Sequence, residues 1–187
     1  MASSYWITAL FSAFLLTGCS RTADLPVLGD VPPFQLTDQA AVSFESATKL
    51  ANTIWIADFF FTNCPGPCPR MSSQMKQVQT ALTGTGIKLV SMTVDPDRDT
   101  PAALHDYSVY YGARAGTWFF LTGAQADLHH LAKDVFKLGN VDGTLDHSTR
   151  FVLVDRKSRI RGYYLTSEAA EIPRLITDAR ELLKERS

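Results

Sequence analysis

The sequence has few cysteines and almost no net charge, and both scarcities limit what the protein can be. Only three cysteines occur among 187 residues. Small secreted domains that depend on disulfides usually carry more of them, and a chain of this length buries enough surface to fold without any. The 18 basic and 19 acidic residues give a formal net charge of -1, and no basic stripe is visible. Binding to nucleic acid is therefore not expected.

Long hydrophobic runs are also scarce, and the one near the N-terminus is short. It covers residues 5–16, whereas a membrane-spanning helix needs roughly 20 apolar residues. A run of this length fits the apolar core of a secretory signal. The tetrapeptide LTGC that ends at Cys19 resembles a bacterial lipobox, in which the cysteine is lipidated and becomes the new N-terminus. No lysine or arginine precedes the run, so an uncleaved N-terminal anchor is the alternative.

These features predict three parts of the chain. Residues 1–19 are expected to form a lipoprotein-type signal segment, residues 20–32 a tether rich in Pro, Gly and Asp, and residues 33–187 one domain. Both interpretations of the N-terminus put the domain outside the cytoplasm and beside a membrane. With lipid on Cys19, the expected location is the periplasm-facing side of a bacterial cell envelope.

The remainder of the chain alternates between strand and helix patterns. An apolar run over residues 54–61 is typical of a strand buried on both faces, and a helix pattern begins just after Cys68. A hairpin over residues 34–46 precedes this run, and the order that follows is β-α-β-α-β-α-β-β-α. Such alternation predicts an α/β domain with a mixed, largely parallel sheet that helices cover on both faces.

The stretch FFFTNCPGPCPRM places Cys64 and Cys68 between the end of a buried strand and the start of a helix. Open α/β sheets bind their ligands at this edge, and the positive end of the helix is expected to lower the pKa of the thiols. Residues one helical turn apart have Cβ atoms about 5–6 Å from each other, which suits a shared metal ion. A disulfide across so short a loop contributes little stability, so the pair indicates chemistry rather than scaffolding.

A metal site would need a third ligand, and the four histidines differ in their positions. His105, His129 and His130 lie within helix patterns and are expected at the surface. His147 instead lies in a loop directly before the strand pattern RFVLVD, whose start should face the cysteine loop. Two thiolates and one imidazole suit copper or zinc and disfavour calcium or magnesium. Three protein ligands leave a fourth position open, which suggests a metal that must leave again.

Two further patterns have simpler structural explanations. The alternating aspartates of VDPDRDTP suggest a calcium loop, but Thr100 stands where an EF-hand requires glycine. A polar loop with a helix cap at Thr100 is the expected structure. Met71 and Met75 are candidate thioether ligands, but their i, i+4 spacing within a helix pattern favours positions in the core.

Taken together, FTNCPGPCPRM, VDPDRDTP and LDHSTRFVLVD resemble the Sco/SenC family of copper-handling proteins, from residue 33 to the last helix. The resemblance implies a thioredoxin-like fold, a membrane anchor, and delivery of copper to the binuclear copper centre of cytochrome c oxidase. It also implies that Cys64, Cys68 and His147 bind the copper ion. The copper-accepting subunit of the oxidase is the implied partner, and a thiol reductant and other copper chaperones are further candidates.

The sequence departs from the family pattern at two places. Gly66 stands where many members carry an acidic residue inside the cysteine loop. The anchor resembles a lipid site at Cys19, whereas most members have a transmembrane helix.

The leading hypothesis is therefore a copper chaperone rather than an enzyme, with two enzymatic alternatives. A thiol–disulfide oxidoreductase would use Cys64 to attack and Cys68 to resolve, with a disulfide between them in the oxidised form. Against it stand the three-residue spacing and the lack of a proline in DHST, where thioredoxin-type enzymes place a cis-proline. A thiol peroxidase is disfavoured because Thr62 lies two residues before Cys64, and peroxiredoxins have a threonine three residues before the reactive cysteine.

Overall fold

The computed structural model describes residues 25–138 and 149–185. Cys19 and His147, two of the four residues that the sequence singles out, lie outside these ranges. The strands are β1 (Gly29–Asp30), β2 (Gln35–Asp38), β3 (Ser43–Glu45), β4 (Trp55–Phe60), β5 (Lys88–Thr93), β6 (Trp118–Thr122), β7 (Arg150–Val154) and β8 (Arg159–Leu165).

Helices follow most of the strands. They are α1 (Ser46–Lys49), α2 (Cys68–Ala81), α3 (Pro101–Tyr110), α4 (Gln125–His130) and α5 (Glu171–Lys184), and α4 continues as a π-helix over Leu131–Val135. The short helix α1 and the π-helix were not expected from the sequence. Within the described ranges, no helix combines the length and the apolar character needed to cross a membrane.

The eight strands form one mixed sheet in the order β1-β8-β7-β4-β5-β6-β2-β3. Only the β4–β5 and β5–β6 pairs are parallel, because a helix crosses over between each of these strands. All other neighbouring pairs are antiparallel. The expected mixed α/β sheet is therefore confirmed, but the expectation that it is largely parallel is wrong.

Strand β4 lies at the centre of the sheet and is buried along its whole length. Its side chains alternate between two hydrophobic clusters, one on each face. Ile56 and Phe60 join the cluster beneath α2 and α5, whereas Trp55 and Phe59 join the cluster on the opposite face. This burial on both faces fixes the position of the loop that leaves β4, and that loop carries the cysteines.

The segment before residue 33 packs on the domain earlier than the expected boundary. Strand β1 pairs with β8, and the amide of Leu28 donates a 2.8 Å hydrogen bond to the carbonyl of Ile160. The buried guanidinium of Arg161 donates to the carbonyl of Leu25 at 2.6 Å. The described part of the predicted tether thus covers the outer edge of β8, an edge that would otherwise leave backbone groups unpaired.

Candidate metal centre

The loop between β4 and α2 brings Cys64 and Cys68 together at the carboxyl edge of the sheet. Cys64 lies in the loop, and Cys68 is the first residue of α2. The two prolines between them restrict the backbone of the loop because their rings fix φ. Both residues are free thiols that are only 7% and 3% exposed, and their side chains are close enough to share a hydrogen bond. The pair can therefore act on a single metal ion or form a single disulfide.

The environment of Cys68 keeps its thiol protonated. Burial is the main cause that raises the pKa of Cys68 to about 12, and the hydrogen bond with Cys64 and the nearby carboxyl of Asp58 act in the same direction. A backbone hydrogen bond at Phe61 opposes the shift without cancelling it. The sequence prediction that the helix N-terminus lowers the thiol pKa is therefore wrong for Cys68, because desolvation outweighs the helix dipole.

Asp58 is a buried acid beneath the cysteine loop that sequence reasoning missed. It lies on β4 six residues before Cys64, and burial raises its pKa to about 7 although a hydrogen bond from Ser91 opposes the shift. The hydroxyl of Ser91 in turn accepts a 2.9 Å hydrogen bond from the indole of Trp118. The signal was present in the sequence, since an aspartate inside an otherwise apolar strand usually has a special environment.

The loop VDPDRDTP lies beside the cysteine loop, and two of its three aspartates have partners within the fold, whereas Asp97 is exposed. Asp95 pairs with Arg98 at 2.7 Å, and Asp99 accepts hydrogen bonds from the backbone and side chain of Thr62. The side chain of Thr100 accepts a 3.3 Å hydrogen bond from the amide of Ala103, which confirms the expected helix cap. The hydrogen bonds of Asp99 hold this loop against the residues before Cys64, which agrees with the position at the rim of the copper site that the family resemblance implies.

The other candidate ligands divide between the surface and the hydrophobic cluster that also contains Cys64 and Cys68. His105, His129 and His130 are exposed on helices, as expected, and Met71 and Met75 are buried in the hydrophobic core. Across residues 25–138 and 149–185, no group of three or more His, Cys, Asp or Glu side chains could hold a metal ion.

The position of β7 bears on the remaining candidate, His147, which lies two residues before the first described residue of this segment. In the antiparallel pair β4–β7, Ala57 lies opposite Val152. The start of β7 therefore lies at the edge of the sheet where β4 ends and the cysteine loop begins. The first described residue of the segment, Thr149, is held there because its carbonyl accepts a 2.7 Å hydrogen bond from the amide of Thr166.

A central strand that delivers a dithiol to the start of the following helix, in a mixed sheet flanked by helices, defines a thioredoxin-like protein. Solved structures of this class match the chain over most of its length. Within the class, the chain belongs to the SCO1/SenC family, whose model matches residues 29–184. The resemblance that the sequence motifs indicated is thereby confirmed.

Three similar proteins illustrate the match. A SCO1/SenC family lipoprotein from Bacillus anthracis str. Ames is 29% identical with a TM-score of 0.74, over 82% of this chain and 95% of that one. BsSco, a member of the Sco family of cytochrome c oxidase assembly proteins in which a disulfide switch was identified, is 27% identical with a TM-score of 0.75, over 87% and 99%. A candidate copper-binding protein from Stutzerimonas stutzeri is 34% identical over 151 residues, 74% of this chain and 71% of that protein.

Proposed function

We propose that this protein is a membrane-anchored, periplasm-facing copper chaperone that delivers copper to the binuclear copper centre of cytochrome c oxidase. The observation that carries the proposal is the buried dithiol of Cys64 and Cys68, held at the edge of the sheet in a chain of the SCO1/SenC family. Thiolates are soft ligands that favour copper over calcium or magnesium. The candidate copper-binding relative supports copper as the metal, and the cytochrome c oxidase assembly role of BsSco supports the oxidase as the acceptor.

His147 completes the proposed copper site as its third ligand. Two features support it: the entry of β7 at the edge where the cysteine loop leaves β4, and the suitability of imidazole for copper. Three protein ligands leave copper open to a fourth ligand from an acceptor. Copper would then pass by exchange of one ligand at a time, with thiols or imidazoles of the oxidase subunit replacing those of the chaperone.

In this proposal, copper binding releases a proton from the Cys68 thiol, and copper release lets the thiol take up a proton again. Because burial raises the pKa of Cys68 to about 12, the thiol holds its proton at neutral pH until copper displaces it. When copper leaves, Cys68 takes a proton again, and this protonation makes it a poor competitor for the departing ion. The raised pKa therefore favours release to an acceptor whose ligands are already deprotonated.

The direct test is copper(I) binding to the reduced full-length protein in detergent, with a competing chromophoric chelator. The parent should bind one copper ion, and His147→Ala should bind it at least tenfold more weakly because ligands act as a set. His129→Ala removes an exposed imidazole and is the matched control. If both variants bind copper like the parent, His147 is not a ligand.

The membrane anchor has its own test. We propose that residues 1–19 are a lipoprotein signal and that the mature protein begins at lipidated Cys19. A related protein from Bacillus anthracis is a lipoprotein, which supports the proposal. Mass spectrometry of the protein extracted from membranes should find diacylglycerol on Cys19 and no residue before it. The variant Cys19→Ala should lose this modification, and an intact Met1 in the parent would contradict the proposal.

A thiol–disulfide oxidoreductase is the second candidate function. The contact between the two thiols and the disulfide switch of BsSco favour it, whereas the protonated state of Cys68 disfavours it because thiolates carry out the exchange. Reduction of a model protein disulfide separates the two functions. An oxidoreductase would lose activity in Cys64→Ser and keep it in His147→Ala, whereas a copper chaperone would lose copper binding in both variants.

A further inference from the structure

Asp99 is a carboxylate that is fully buried beside the cysteine loop. It follows β5 in the loop that leads to α3, and its exposed fraction is 0%. Within the described ranges, no basic side chain forms an ion pair with it. A buried polar group costs free energy in a protein interior unless hydrogen bonds satisfy it. The hydrogen-bond donors around Asp99 are therefore what stabilises its side chain in this buried position.

Three donors from two neighbouring strand ends converge on this carboxylate. The amide of Thr62 donates to Oδ2 at 3.1 Å, the hydroxyl of Thr62 donates to Oδ1, and the hydroxyl of Thr93 donates to Oδ2. Thr62 follows β4 and Thr93 ends β5, so the carboxylate joins the ends of the two central parallel strands. The amide of Val94 adds a 2.9 Å hydrogen bond to the carbonyl of Phe60 at the same place.

This connection acts on one end of the dithiol loop. Cys68 is held by α2, whose first residue it is. Cys64 belongs to no helix or strand, and only Asn63 separates it from Thr62. The hydrogen bonds of Asp99 to Thr62 are therefore the nearest fixed point on the Cys64 side of the loop. A ligand that is held in place beforehand loses less entropy when it binds.

We propose that Asp99 is a positioning residue of the metal centre: its carboxylate holds Thr62, and through Thr62 keeps the Cys64 sulfur in the position that binds copper. The inference rests on the proposed copper site but adds a residue that touches neither the ion nor the cysteines. The aspartate side chain offers two acceptor oxygens to the three donors. An asparagine would offer only one oxygen, because its other group is an NH₂ donor. In Asp99→Asn, the NH₂ group would face a donor of Thr62 or Thr93.

The test compares Asp99→Asn with Asp38→Asn in the reduced full-length protein. Asp38 is also buried and accepts two backbone hydrogen bonds, from Ala40 and Val42, but it lies three strands away from β4 in the sheet order. Three quantities are measured for each variant: the melting temperature, the affinity for copper(I), and the rate at which iodoacetamide alkylates Cys64, located by peptide mass spectrometry.

Both variants should melt at lower temperature, but only Asp99→Asn should change the metal centre. We expect its copper(I) affinity to fall about tenfold or more, as is typical when a group that orients a ligand is removed, and the alkylation rate of Cys64 to rise several-fold. Parent-like affinity and alkylation in Asp99→Asn would overturn the proposal. Equal changes in Asp38→Asn would also overturn it, since they would show a general loss of stability.

If Asp99→Asn does not fold, substitutions of Thr62 test the same hydrogen bond from its other side. Thr62→Val removes the hydroxyl but keeps the amide and the shape, so it should reproduce part of both effects. Thr62→Ser restores the hydroxyl and should behave like the parent, whereas equal behaviour of the two variants would overturn the proposal. The alkylation rate needs no metal. A parent that does not bind copper(I) would therefore refute the proposed function while alkylation still decides the role of Asp99.

Discussion

The hydroxyl of Ser91 donates a 2.6 Å hydrogen bond to the carboxyl group of Asp58, directly across the pair of strands β5 and β4. This hydrogen bond lowers the pKa of Asp58, but burial outweighs it and raises the pKa from 3.8 to about 7. The folded protein therefore binds a proton at Asp58 between these two pH values where the unfolded chain does not. Its stability must fall as the pH rises through this window and become independent of Asp58 above it.

Asp58→Asn should remove this dependence, because asparagine cannot ionise and still offers an oxygen to Ser91. A shift of about three pKa units corresponds to about 4 kcal/mol, at about 1.4 kcal/mol per unit. In denaturant unfolding, the variant and the parent should be similar near pH 4, and the variant should gain up to that amount by pH 7 to 8. The exposed Asp97→Asn is the matched control for the loss of a carboxylate. A pH-independent difference would contradict the prediction.

Copper binding should strengthen as the pH rises. The pKa of Cys68 is raised to about 12, so copper competes with a proton for this sulfur at every pH from 6 to 8. Each displaced proton makes the apparent affinity rise about tenfold per pH unit. Copper(I) competition titrations at three pH values give the slope of the logarithm of the affinity against pH. Cys68→Ser should lower this slope by about one, because one proton fewer is displaced. A slope of zero in the parent would show that no thiol is deprotonated on binding.

An acidic residue at position 66 should fit without strain and strengthen copper binding. A Cβ atom added to Gly66 would meet no heavy atom within 4 Å, and its φ does not lie in the left-handed region. Gly66→Asp should therefore change stability by no more than about 0.5 kcal/mol, as is usual for surface substitutions. Its carboxylate would attract the cation and raise the copper affinity severalfold over that of Gly66→Asn, which has the same shape without the charge. Equal affinities of the two variants would contradict this expectation.

Copper binding and the disulfide should exclude each other. A bond between Cys64 and Cys68 uses the thiolates that would otherwise bind the ion. Copper uptake by the fully oxidised protein should therefore be lost, and a reductant should restore it. At the proposed location in the periplasm, which is kept oxidising, a reductant partner would control copper loading. Equal uptake by the oxidised and reduced forms would place the copper site elsewhere.

Local sequence patterns predicted the elements whose structure depends on local residues. The apolar run of β4, the cap at Thr100 and the hairpin of β7 and β8 are all present, with boundaries shifted by a residue or so. Strand β1 was missed because Gly29 and Asp30 have no strand character of their own and pair only because β8 presents a free edge. The predominance of antiparallel pairs was missed for a similar reason, since pairing partners are distant in sequence.

At the candidate site, the sequence indicated the two cysteines but not the protonation of Cys68. The spacing of Cys64 and Cys68 correctly predicted that the two thiols lie together. Their pKa could not be predicted from spacing, because it depends on how much of the protein buries them. The role of Asp99 likewise depends on the loops after β4 and β5 meeting in space, 37 residues apart in sequence.

The hydrogen bond between Leu25 and Arg161 sets the length of the linker that would connect the domain to the membrane. With lipid on Cys19, six peptide units separate the anchor from the first docked residue. Even fully extended, they reach about 20 Å. The edge of β8 would then stay within that distance of the bilayer surface. A protein anchored in this way would search for its acceptor by diffusing in two dimensions, along the plane of the membrane.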